Sequence, residues 1–295
     1  MPEPLPVLLN PAAGSGPDRA AVEAAFAACG MPVAVRIVDE SHPLPQVLDE
    51  ILRARPPVVV AGGGDGTIAA VAARLLDGDS ALGVLPLGTL NHFAKDLGLP
   101  IDLQQAAQAI ARGATRCVDV GEVGGRCFLN NSSLGLYPRI VRAREHAQRS
   151  QHLGKWPALA RATWQALRDP HALSVTLAVE GKRLQRRTPF LFVGNNRYVL
   201  AGTEAGKRQA LDGGVLSLHV LRPQSSLGLV WMALRTLCGR RSRERDFERF
   251  LVGEFQVETG DPNPEVACDG EVARLASPLC FRVRPRALRV VVAED

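Results

Sequence analysis

Long apolar runs, cysteine pairs, internal repeats and low-complexity tracts are all missing from this sequence. The longest apolar stretches, such as Leu227–Leu237, fall far short of the ~20 residues that a membrane-spanning helix needs. The six cysteines (Cys29, Cys117, Cys127, Cys238, Cys268 and Cys280) form no CxxC pair and show no metal-ligand spacing. They read as reduced, mostly buried thiols of a cytosolic protein. Met1–Asn10 lacks the basic stretch that opens a signal peptide, so a soluble, cytoplasmic protein is expected. Aromatic residues are scarce, at 5%, and the core must be built from Ala, Val and Leu.

What is present is ample apolar material and an uneven charge. The 295 residues suffice for two domains if each takes roughly 100–200 residues. Hydrophobic residues at 46% and charged residues at 22% exclude wholesale disorder, collagen and coiled coil. The formal net charge is +5. Residues 139–168 carry seven Lys/Arg against one acid, and residues 235–249 carry six Arg against three acids. The rest of the chain is net acidic, so the basic excess sits wholly in two segments. Such localisation points to an anionic partner, nucleic acid or membrane.

The first 125 residues alternate strand and helix. Pro6–Leu9, Val33–Val38, Val58–Ala61 and Ala81–Leu85 read as strands, while residues 18–29, Leu44–Arg53 and Ile68–Leu76 read as helices. This order predicts an open, Rossmann-like parallel sheet with helices on both faces, which binds ligands at the carboxyl ends of its strands. From residue 126 to 295 the pattern changes to short alternating runs: Ser174–Glu180, Pro189–Gly194, Val215–Leu221, Glu254–Glu258 and Leu279–Val283. These predict an antiparallel β domain, interrupted by two helical insertions that are the two basic segments. Leu288–Ala293 suits a strand in either domain, so 285–295 is compatible with a return to the first.

Three loops follow strands on one edge of the predicted parallel sheet. Gly62-Gly63-Gly64-Asp65-Gly66-Thr67 lets the backbone approach a ligand and offers N–H groups to anionic oxygens at a helix start. Asp65 is out of place beside phosphate unless it handles a metal ion, a ribose hydroxyl or a proton in transfer. The bland reading is a tight turn. Gly88, Thr89 and Asn91 mark a second such loop, and Asn10, Gly14 and Gly16 a third. Together they describe a nucleotide cleft.

LLNPAAGSG (8–16), VVVAGGGDGTIAAV (58–71) and LGVLPLGTLNHFAKDLGLP (82–100), followed by ACDGE (267–271), resemble the diacylglycerol kinase and sphingosine kinase catalytic-domain family, in its bacterial soluble lipid kinase branch. The resemblance implies a nucleotide domain, a β-sandwich lipid domain and an active site between them, using ATP and Mg²⁺. It implies that Gly62–Thr67 holds ATP phosphates with Asn10 and Thr89 nearby. Glu271 would be the general base that takes the proton of a lipid hydroxyl, with Asp269 holding Glu271 in place or approaching the metal. Asp269-Gly270-Glu271 alone reads equally as a hairpin turn. Two positions depart from the family pattern. His92 stands where Asp follows the loop asparagine, and Gly213 stands where the family's accessory magnesium site has its second acid. Asp212 is the remaining metal candidate there.

Trp156, Leu159, Ala160, Thr163, Trp164 and Leu167 recur at helical spacing beside Arg161 and Arg168. They suit a core-packing helix or a membrane interface. Leu227–Leu237 followed by Arg240, Arg241, Arg243 and Arg245 repeats the pattern. Each basic residue near an anionic surface is worth about 1 kcal/mol. These segments favour a lipid substrate and peripheral attachment to the inner face of the membrane over nucleic acid, for which no binding module is present. The expected protein is an ATP-dependent lipid kinase. A kinase of soluble substrates related to NAD kinases and a catalytically impaired nucleotide- or lipid-binding protein are the alternatives.

Overall fold

β-branched runs without a polar break make strands buried on both faces, and Val58–Ala61 is such a run. The computed structural model describes residues 3–11, 18–139, 141–142, 172–198, 208, 210–222 and 246–293. It divides into two compact units, Met1–Val120 with Pro285–Asp295, and Gly121–Arg284.

In the first unit, β1 (Leu5–Leu9), α1 (Arg19–Ala27), β2 (Val33–Ile37), α2 (Leu44–Arg53), β3 (Val58–Gly63), α3 (Asp65–Leu75) and β4 (Ala81–Pro86) alternate as the apolar runs predict, followed by α4 (His92–Asp96) and α5 (Leu103–Arg112). The strands lie parallel in the order β2-β1-β3-β4. Helix starts are locally encoded. Asp18 accepts from the Ala21 N–H at 2.8 Å and Asp102 from the Gln105 N–H at 3.0 Å, each satisfying a donor that the first turn leaves over. Val7, Leu9, Phe26, Val60 and Leu85 are buried beneath the helices.

The second unit is antiparallel β. Strand β5 (Ala114–Val123) enters it, followed by β6 (Arg126–Phe128), β7 (Asn131–Gly135), β8 (Leu173–Val179), β9 (Lys182–Thr188), β10 (Phe190–Asn195), β11 (Leu216–Leu221), β12 (Phe247–Val252), β13 (Glu254–Thr259), β14 (Glu265–Cys268), β15 (Glu271–Arg274) and β16 (Leu279–Val292). One sheet runs β12-β11-β10-β7-β14-β15. Opposite it, the first part of β16 pairs with β13, β13 with β8, and β8 with β9. Leu134, Leu191, Leu218, Val257 and Phe281 fill the space between, and the Phe255 and Phe281 rings stack at 4.8 Å. The far part of β16 lies in the first unit, where Val290 pairs parallel with Leu82.

Three expectations need correction. Strand β9 was not predicted, because KRLQRRT has no apolar alternation. It forms an edge, where cationic side chains discourage pairing with another chain, and Arg183 reaches Glu258 on β13 while Arg186 reaches Glu248 on β12 of the other sheet. Phe247–Arg249, placed in a helical basic insertion, is strand instead: its residues pair with His219–Leu221. Among the five described cysteines only Cys268 is buried, while Cys280 is exposed, so the thiols are not mostly core residues. Most of 139–168 and 235–249 lies outside the described residues, as do Gly14, Gly16 and Cys238. Among the described residues no helix is long and apolar enough to cross a membrane.

His219 on β11 is 3% exposed, with its ring edge-on to Phe192 at 5.9 Å and to Phe247 at 6.2 Å. Burial, assisted by the neighbouring Arg249 charge, pushes its pKa down from 6.5 to about 4. Between those two values the unfolded chain binds a proton that the folded chain refuses, so stability falls as pH drops through the window. Urea midpoints measured from pH 7 to pH 4 are expected to decline. The decline should be shallower in His219→Phe.

Candidate active site

Two of the predicted loops, and Asn10 at the start of the third, meet in the first unit and are tied together by hydrogen bonds. Asn10, just past β1, donates its backbone N–H to the Gly62 carbonyl at 2.9 Å and its Nδ2 to Thr67 Oγ1 at 2.9 Å. Leu87, past β4, donates to the Gly63 carbonyl at 3.2 Å. Asn91 is 6% exposed and left-handed, with φ of 51°. Its Oδ1 accepts from the Gly88 N–H at 2.9 Å, while Nδ2 donates to the carbonyls of Pro86 and Gly88. Asn91 therefore braces its own loop from within. Thr89 is exposed on the outside of that turn.

The glycines answer to space. A Cβ on Gly63 would lie 2.8 Å from the Thr67 Cβ, and one on Gly88 would lie 2.6 Å from the Gly64 Cα. Gly64 stands at the N-cap of α3 and provides no side-chain cap, so the N–H groups of that first turn have no side-chain acceptor and the helix dipole adds positive potential there. Asp65 opens α3, where the same dipole stabilises a carboxylate. That gives this residue a local reason to be acidic without a ligand. Gly88→Ala must push two backbones apart. It is expected to cost about 1–3 kcal/mol, read by thermal melting.

The second unit presents the Asp-Gly-Glu segment as a two-residue hairpin turn between β14 and β15. Asp269 and Gly270 both have positive φ, 47° and 89°, the conformation that favours Asp-Gly at these positions. The turn positions the Asp269 carboxylate over the segment Leu129–Asn131. Its Oδ2 accepts from Leu129 N at 2.6 Å, and its Oδ1 from Asn130 N at 2.8 Å and Asn131 N at 3.1 Å. Burial pushes its pKa up, against the opposing pull of those three N–H groups and the Arg208 guanidinium. Arg208 Nη1 donates to the Leu129 carbonyl at 2.6 Å, and Asn195 Nδ2 donates to the same oxygen at 3.0 Å. Glu271 is the first residue of edge strand β15. Its side chain is 63% exposed and lies 3.4 Å from Arg126 Nη2. Asp269 is thus turned to the backbone of 129–131, and Glu271 faces solvent.

Residues 4–123 match the diacylglycerol kinase catalytic domain, and residues 140–292 match the YegS C-terminal NAD kinase beta sandwich-like domain. A Pseudomonas aeruginosa protein named "Probable lipid kinase YegS-like" is 32% identical, with 96% of this chain and 92% of that protein covered. The chain belongs to the YegS-like diacylglycerol kinase family. A Pseudomonas fluorescens relative of the same name is 31% identical over 94% of this chain and 91% of its own length. The fold is that of a crystal structure described as a diacylglycerol kinase from Bacillus anthracis, with a TM-score of 0.70 at 19% identity, covering 98% and 97% of the two chains. Yeast NADH kinase shares the fold more distantly, with a TM-score of 0.51 at 11% identity and coverage of 100% and 84%.

Two departures from the family pattern now have surroundings. Gly213 donates its N–H to Asn196 Oδ1 at 2.7 Å, and a Cβ there would lie 2.9 Å from the same oxygen. Asn196 is fully buried, so position 213 is closed to an acidic side chain unless Asn196 moves. Asp212 is exposed, and among the described residues no three His, Cys, Asp or Glu side chains gather where they would hold a metal ion. His92 is exposed at the start of α4. Arg126, Asn195 and Arg208 escaped the sequence reading, since nothing in their local pattern separates them from surface polar residues.

Proposed function

We propose that this kinase uses ATP to phosphorylate the hydroxyl of a membrane lipid such as diacylglycerol, at the inner face of the membrane. The observation that carries the reading is the bonded cluster at the ends of β1, β3 and β4, where Asn10 and Leu87 are tied to the Gly62–Thr67 loop. Gly88 lets its backbone close on Gly64, Gly62 and Gly63 leave room for the Leu9, Leu87 and Thr67 side chains, and the uncapped start of α3 offers N–H groups to phosphate oxygens. Gly64, Gly66, Thr67 and Asn91 build the same cradle, with Asn10 fixing Thr67, and Thr89 stands at its rim. Asp65 has the roles of metal, ribose or proton partner open to it.

In the transfer, the lipid hydroxyl oxygen attacks the γ-phosphorus, the bond to the ADP oxygen breaks, and the hydroxyl proton passes to Glu271. An exposed carboxylate on an edge strand is accessible to a bulky acceptor. Asp269 holds the 129–131 backbone beside it rather than supplying chemistry. Mg²⁺ bound with ATP would neutralise charge that develops on the phosphates. The basic excess of 139–168 and 235–249 supports attachment to anionic lipid.

Incubation with radiolabelled ATP and a total bacterial lipid extract tests the reading, with the labelled product identified by mass. A labelled lipid is expected. Label passing only to a soluble acceptor such as NAD would replace this reading with the NAD-kinase one, and no transfer to either would point to a binding protein.

A further inference from the structure

The segment 129–131 joins β6 to β7, and every backbone donor and acceptor in it is taken. Its three N–H groups go to the Asp269 carboxylate. The Asn131 carbonyl accepts from the Asp269 N–H at 2.9 Å, and the Asn130 carbonyl from the Asn195 N–H at 2.9 Å. The Leu129 carbonyl accepts from both Asn195 Nδ2 and Arg208 Nη1. Arg208 adds a second bond, from Nη2 to Asn130 Oδ1 at 3.2 Å. Inside a regular element, neighbouring backbone satisfies such groups. Here residues from three distant stretches of chain converge on one short connection and fix it in place.

Arg208 is itself anchored, since its backbone bridges that of Tyr198, a residue 6% exposed. Its planar guanidinium spans acceptors on two consecutive residues, a reach that a single ammonium lacks. It also supplies a positive charge that opposes the cost of burying Asp269. A buried carboxylate is tolerated where hydrogen bonds and nearby charge replace the lost water. Arg208 thus steadies both sides of one contact, the 129–131 backbone through its bonds and the Asp269 carboxylate through its charge.

Glu271 stands two residues beyond Asp269, at the start of β15, an edge strand paired to β14. Its side chain meets Arg126 at 3.4 Å, and an exposed ion pair of that kind is a weak restraint. The place of the Glu271 carboxylate is therefore set by the turn before it, and that turn is set by its contact with 129–131. We propose that Arg208 is a positioning residue of the phosphoryl transfer, holding Glu271 in line through the 129–131 segment and Asp269. The inference rests on the reading of Glu271 as the base and adds to it the residue that sets the base in place.

A misplacement of about 1 Å in a reacting group costs on the order of 10²-fold in rate. Arg208→Ala should therefore slow single-turnover transfer from ATP to a bacterial lipid extract about 10–100-fold. ATP affinity should stay unchanged, because the loops proposed to hold the nucleotide belong to the other unit. Arg208→Lys keeps the charge without the fork and should fall between. Glu271→Gln separates positioning from general support of the fold. Adding Arg208→Ala to Glu271→Gln should slow transfer no further, since no base is left to misplace, whereas a purely structural role slows both backgrounds alike. Wild-type transfer in Arg208→Ala, or equal slowing in the two backgrounds, overturns the inference. If Arg208→Ala does not fold, Arg208→Lys enters the same cycle under the same criteria. Failure of the base reading looks different, because Glu271→Gln would then transfer at the wild-type rate, and this inference would fall with it.

Discussion

Glu271→Gln is expected to slow phosphoryl transfer about 10²–10⁴-fold, the usual contribution of a positioned general base. An amide has the shape of the carboxylate and cannot accept the proton. The side chain is 63% exposed and its ion pair with Arg126 spans 3.4 Å, and such surface pairs are worth about 0–1 kcal/mol. Folding should therefore be nearly untouched, and ATP affinity with it, since the loops proposed to hold the nucleotide belong to the other unit. Single-turnover kinetics beside a thermal melt and an ATP titration separate these effects. Wild-type turnover in the variant would remove Glu271 from the chemistry.

Asp269→Ala should act through stability. The carboxylate serves three backbone donors at 2.6, 2.8 and 3.1 Å. Deleting it strands those N–H groups in a buried setting and places alanine at a φ of 47°, where it lacks aspartate's tolerance of the left-handed region. A loss of about 3–5 kcal/mol is expected from orphaned donors of this kind. Asp269→Asn keeps one acceptor oxygen and should lose less. Denaturant unfolding of both variants reads the difference. If Asp269→Ala unfolds like the wild type yet loses activity, the carboxylate acts on substrate or metal and not on the 129–131 backbone.

How far the sequence revealed this molecule depended on whether a feature is local. Val58–Ala61 and Ala81–Leu85 announce themselves as buried parallel strands and residues 18–29 as a helix, whereas the helix that Asp102 caps went unread. The glycines of Gly62–Thr67 and Gly88 stood out as positions of close approach, though what they approach did not. Thr67 and Asn10 are 57 positions apart, and only the parallel order of β1 beside β3 brings them together. Asp269 illustrates the same gap: its turn geometry is written in Asp-Gly, but its three backbone donors lie some 140 residues earlier. Strand β9 was hidden because an edge strand is free to be polar. His219 was hidden because a polar residue alternating with apolar ones reads as solvent-facing, and its burial leaves no periodic trace.

The return of Pro285–Asp295 to the first unit bears on how the protein is made. On a ribosome, β1 to β4 are complete long before Val290 exists to pair with Leu82. At about 5–20 residues per second, the nascent sheet waits roughly ten to forty seconds with its β4 edge lacking that neighbour. The second unit is continuous in the chain and has all its strands at hand first. The first unit would then be the last to mature, and its edge would need shielding during synthesis from other unfinished chains.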